Sequence, residues 1–152
     1  MCEIENIGDD EQMSRLLFAP RMLPNDIIEL VWTEIFQFPS ADGRAESLVW
    51  RAKCPTDADV NHVGCDIEAE KREKDDLVRY RGFISALAGE IRARVVRIHG
   101  FEVVHVPEAG RPWHSHVEVR VSGNPTKNDK FDFRIEMQKT FGGFVEQSCP
   151  PA

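Results

Sequence analysis

Apolar and polar positions alternate most cleanly in two stretches of the chain, 101–121 and 130–138. In 101–106 and 113–121 valines and aromatic residues recur at every second place, while the segment between them, Pro-Glu-Ala-Gly-Arg-Pro, carries a glycine and flanking prolines suited to a tight connection. The pattern predicts a β-hairpin. In 130–138, Phe131, Phe133, Ile135 and Met137 fall on one side, which predicts a third strand.

A turn centred between Ala109 and Gly110 sets Val106 opposite Trp113, His105 opposite His114 and Val103 opposite His116. One face then carries Val104, Val106, Trp113, Val117, Val119 and Val121; the other carries His105, His114, His116, Glu118 and Arg120. Placing the apolar side of the third strand on the valine face pairs Val119 with Phe133 and Val117 with Ile135. On the polar face Arg120 then meets Asp132, Glu118 meets Arg134, His116 meets Glu136 and His114 meets Gln138, all chemically complementary pairs.

Upstream of the hairpin the apolar spacing is mostly helical. Met13, Leu16 and Leu17 follow the acids Asp9, Asp10 and Glu11, predicting a short helix over 9–19 that Pro20 ends. Ile27, Ile28, Val31, Trp32 and Ile35 predict a helix over 25–38, although their β-branched and aromatic character leaves a strand open. Around 45–52 the two templates are nearly level, with helix slightly favoured. Thr56 to Asp59 resembles a capping box ahead of Val60, Val63 and Ile67, with 68–76 as a charged exit. Over 82–98, Ile84, Leu87, Ala88, Ile91, Val95 and Ile98 form the longest helical stripe.

The expected architecture is α+β, with N-terminal helices packed on one face of a C-terminal three-stranded antiparallel meander. It spans 1–152 as a single domain: helical part about 9–98, sheet part about 101–138, short tail 144–152.

Composition narrows the partners. With 41% hydrophobic and 30% charged residues the chain has the balance of a globular domain, and a formal charge of -7 works against nucleic-acid backbones and anionic membranes. No apolar run is long enough to span a membrane, and the acidic start lacks a signal-peptide pattern, so a cytoplasmic setting is expected. Cys2, Cys54, Cys65 and Cys149 are then expected as reduced thiols, and Cys54, His62 and Cys65 lack the spacing of a metal knuckle. Arg79, Arg81, Arg92, Arg94 and Arg97 make the middle of the chain basic; Arg79, Arg81, Arg94 and Arg97 are its candidate nucleic-acid contacts, weighed against a helix-stabilising role.

Two functional readings follow. The leading one is a small accessory or binding protein that engages a partner protein or small ligand through the polar sheet face or an exposed edge strand. The alternative is a hydrolase or nuclease acting on a phosphodiester or other anionic substrate. In it, His105 and His114 act as acid and base with Arg134 holding the anion, or His105, His114, His116 and Glu136 ligate a zinc-like divalent metal.

Overall fold

The first segment pairs as a strand, not a helix. The structure, a computed structural model, describes residues 4–24, 29–36, 38, 49–51 (backbone), 60–119 and 125–151. In order they form β1 (Gln12–Ala19), α1 (Trp32–Ile35), β2 (Val49–Arg51), α2 (Val60–Arg72), β3 (Arg79–Leu87), α3 (Ala88–Arg92), β4 (Val95–Val96), β5 (His99–His105), β6 (Ser115–Val119), α4 (Lys127–Thr140) and β7 (Val145–Glu146). Two antiparallel sheets result, ordered β2-β1-β3-β7 and β4-β5-β6. The architecture is therefore α+β, but helices and strands interleave, and the expected separation into a helical half and a meander does not hold.

β1 departs from alternation because both of its faces are covered. Met13 and Leu17 enter the main core with Ile84 and Ala86 of β3, whereas Leu16 and Phe18 join Tyr80, Val63 and Ile67 in a second cluster beneath α2. A strand buried on two sides reads as a short continuous apolar run, and such a run matches a helical stripe equally well. The same ambiguity misled the expected helix over 82–98. Its first half is β3, with Tyr80, Ile84 and Ala86 buried at every second position, and its supposed inner residues Val95 and Ile98 are exposed. β3 carries a bulge where Leu17 faces Gly82 and Phe18 faces Tyr80, leaving Arg81 without an opposite number. Gly82 takes φ +131° there, a conformation that suits glycine alone.

Of the helix expected over 25–38, only Trp32–Ile35 is helical; 25–28 and 37 lie outside the described residues. The segment at 45–52 supplies strand β2, its remaining residues also lying outside. α2 matches its expectation: Val63 and Ile67 face inward, although 56–59 are not described. It runs on into the charged exit as far as Arg72, and there buried Glu68 accepts a hydrogen bond from the Tyr80 backbone N–H at 2.8 Å.

The hairpin is present, with its register one residue from expectation. A Glu108–Arg111 bridge places the turn centre between Ala109 and Gly110 as foreseen. Beyond it, however, the His114 N–H bonds back to the Arg111 carbonyl at 3.1 Å, and this second turn absorbs one residue. The strands consequently pair His105 with Ser115, Val104 with His116 and Val103 with Val117. A one-residue slip exchanges faces. His105 lies on the core side with Phe101 and Val103, while Val104 takes its place opposite His116.

The third strand expected over 130–138 is the middle of α4. Thr126 and Asp129 form a reciprocal capping box, at 3.1 and 2.9 Å, that starts the helix. Phe133 and Met137 are one helical turn apart and both enter the core, whereas Phe131 is 59% exposed. A spacing of four satisfies a strand and a helix alike, so alternation alone could not decide. With the strand go the cross-strand pairs proposed for Asp132, Arg134, Glu136 and Gln138. α4 and α3 instead join the two sheets in closing the core around Phe101, Val117, Phe133 and Ile91.

The tail adds β7 to the edge of β3, and beyond it Cys149 is bonded to Cys65 of α2, with Cα atoms 5.5 Å apart. These two residues were expected as free thiols. A disulfide persists in oxidising surroundings, and no spacing rule pairs two half-cystines separated by 84 positions.

Candidate functional site

The histidines of the hairpin are held by local hydrogen bonds. His105, 1% exposed, accepts at Nδ1 from the Glu5 backbone N–H (3.2 Å) and donates from Nε2 to the Pro112 carbonyl (2.8 Å). Both ring nitrogens are thereby spent tying the N-terminal segment and the turn to β5. His114 donates from Nδ1 to the Val106 carbonyl at 2.9 Å, with Glu108 at 3.4 Å. His116 donates from Nε2 to Glu118 on its own strand at 2.8 Å.

The rings of His114 and His116 are neighbours, 6.0 Å apart. His105 is on the opposite face of the hairpin. Glu136 and Arg134 belong to α4. Glu136 accepts from Arg94 and pairs with Lys139, each at 3.5 Å, and the Arg134 Nε is buried without a hydrogen-bond partner. Among the described residues no group of three histidine, cysteine or acidic side chains is arranged to hold a metal.

The arginines of the basic middle are also engaged within the chain. Arg79 donates to the Asp76 and Val78 carbonyls, and Arg81 to the Pro24 carbonyl. Arg97 bridges Asp129 and Asp132 at 2.8 Å each. Hydrogen bonds from the Thr126 backbone above all, and from its hydroxyl and Arg97, hold the Asp129 carboxyl below its usual range against the opposing effect of burial. Arg92 donates to Asp9 and Glu102. Burial opposes its charge, but the two acids outweigh it and raise its affinity for the proton.

Arg15 is the contrast, and it marks a different place in the molecule. β2 pairs with β1 only through residues 13–15, so from Leu16 onward that edge of β1 has no strand partner among the described residues. Beside it the chain turns through the cis Ala19–Pro20 bond, and α1 and the end of α2 close around a cavity of about 380 Å³. Phe18, Met22, Ile35 and Val78 supply apolar wall. Arg15, Arg21 and Lys71 supply positive charge, with Glu34 and Asp75 also at the rim. A further cleft over α2 shares Arg15, Phe18 and Lys71 with it.

Arg15 is only 9% exposed, and its Nε donates to the Ile35 carbonyl at 3.1 Å. Burial alone pulls its pKa down to about 10, so it remains charged at neutral pH. Sequence reasoning did not single this residue out. The cue that was available is a lone charge between Met13-Ser14 and the apolar run Leu-Leu-Phe-Ala. Comparison with protein-family models, curated proteins and solved structures found no match.

Proposed function

We propose that this chain is a small-ligand-binding protein whose ligand occupies the cavity between β1, α1 and the end of α2. The observation that carries this reading is the cavity itself. Its volume of about 380 Å³ falls in the usual span for small-molecule sites, about 300–1,000 Å³, and it combines apolar walls with a few convergent polar groups. This location differs from both routes expected from the sequence, the polar sheet face and an exposed edge strand, because β1 is a buried inner strand of its sheet. The histidine face is a poorer support, because His105 and His114 are occupied in fastening the hairpin to its surroundings.

The test is an amide-resolved NMR titration with a panel of small organic compounds, charged and neutral. Shifts confined to residues around 15–22, 34–35 and 71–78, and abolished by the cavity-filling change Met22→Trp, are expected. Shifts centred on His114, His116 and Glu118 would move the function to the hairpin and overturn the proposal.

A further inference from the structure

Five arginines of this chain, exposed or partly buried, each keep an acid beside them. Arg21 pairs with Glu34, Arg92 with Asp9 and Glu102, Arg94 with Glu136, Arg97 with Asp129 and Asp132, and Arg111 with Glu70. Arg15 is the most deeply buried arginine among the described residues, yet no carboxylate among them pairs with its guanidinium. A buried charge without a counter-ion is costly, and a fold that merely needed a filler in β1 would be better served by an apolar side chain.

The unpaired guanidinium lines the cavity. So does Lys71, whose ammonium stands 5.6 Å from the centroid of the Phe18 ring and has no acidic partner among the described residues. The two acids at the rim are already engaged: Glu34 with Arg21 at 2.9 Å, and Asp75 as acceptor of the Leu77 N–H at 3.1 Å. The cavity therefore offers one fork of donors anchored at the Ile35 carbonyl and one exposed ammonium, next to an aromatic and aliphatic wall. A planar guanidinium is suited to two parallel bonds with a carboxylate or phosphate.

We infer that the ligand is a small organic anion with an apolar body, its carboxylate or phosphate anchored by Arg15 and seconded by Lys71. This rests on the cavity being the ligand site. The charge that the described residues leave without a counter-ion is then completed when the ligand enters, and the apolar part of the ligand covers Phe18 and Met22.

The probes are benzoate, phenyl phosphate and the neutral benzamide, titrated into the full chain and followed by the amide shifts of residues 15–22. At least one anion is expected to bind about tenfold or more tightly than benzamide, and the preference between the two distinguishes a carboxylate ligand from a phosphate. Arg15→Met is expected to abolish this preference while leaving the melting temperature unchanged or raising it, since it removes an uncompensated charge. A purely structural arginine predicts a lower melting temperature instead. Lys71→Met, on the solvent side of α2, serves as a second variant should the first fail to fold, and is expected to weaken the anion several-fold.

Benzamide binding as tightly as the better-bound anion would overturn the anion inference and leave the cavity as the ligand site. The same holds if neither anion, but other neutral compounds, perturb these residues. Silence of residues 15–22 toward every compound would overturn both.

Discussion

Cutting the Cys65–Cys149 bridge is the perturbation whose size can be worked out most directly. The bond joins α2 to the segment after β7 and closes a loop of 84 positions that contains β3, the β4-β5-β6 sheet and α4. In the unfolded chain, closing a loop of that length removes about 15 cal/mol/K of entropy, or about 4.5 kcal/mol at 25 °C. For 152 residues the unfolding entropy is about 0.3 kcal/mol/K, so the double variant Cys65→Ser/Cys149→Ser should melt roughly 10–15 °C lower. Native-state interactions survive the change, because Cys65 contributes little more than its edge to the cluster of Val63, Ile67 and Tyr80. The measurement is a calorimetric or circular-dichroism melt of the native chain, the reduced chain and the double variant. Alkylation in denaturant without reductant should leave both Cys65 and Cys149 unmodified. A double variant that melts within about 2 °C of the native chain, or free alkylation of these two thiols, refutes the reasoning.

Four further expectations concern the fold. Gly64 lies against the buried Tyr80 ring, where an added Cβ would meet ring carbons at 2.5–2.7 Å; Gly64→Ala should therefore cost about 1–3 kcal/mol in urea unfolding despite alanine's better helix propensity, and an unchanged midpoint would contradict that packing. His105→Ala strips the Glu5 N–H and the Pro112 carbonyl of their buried partner; a loss of about 2–4 kcal/mol is expected, with faster amide exchange in the 106–114 turn. Phe133→Ala should cost about 3–5 kcal/mol and Phe131→Ser less than about 0.5, because one is buried and the other exposed; equal losses would restore the strand in which both share a face. Asp129, whose proton affinity is depressed in the folded state, contributes stability that is complete above its ordinary pKa of 3.8 and is lost as pH falls below it; Asp129→Asn should flatten the melting temperature against pH in that acid window, and a slope unchanged by the substitution would remove the linkage.

What could be read from the sequence was what local chemistry decides alone. The 107–112 turn was legible because glycine and proline restrict the backbone whatever surrounds them, and its centre falls between Ala109 and Gly110 as expected. The register two residues further on was not, because the turn that absorbs one residue at His114 is closed by backbone hydrogen bonds that leave no compositional mark. The consequence was large for a small cause: His105 changed sides, and the apparent histidine cluster lost a member. Likewise 130–138 alternates faithfully, yet the Thr126–Asp129 capping box just before it was the sharper signal, since a reciprocal pair at this spacing satisfies helix N–H groups and has no corresponding role in a strand.

Arg15 shows why a site can be less legible than a fold. A charge in the apolar run of β1 has two opposite readings: on a helix it is the solvated side, whereas on a strand covered on both faces it has nowhere to go but inward. Only pairing with β2 and β3 selects the second, and that pairing depends on segments 34 and 69 positions away, since Arg15 faces Val49 on one side and Ile84 on the other. The alternating stretches, by contrast, advertised histidines that the folded chain uses as hydrogen-bonding fasteners. The residue with the stronger claim to function is the one whose local pattern and final environment disagree, because a disagreement that folding does not relieve is what a ligand can relieve.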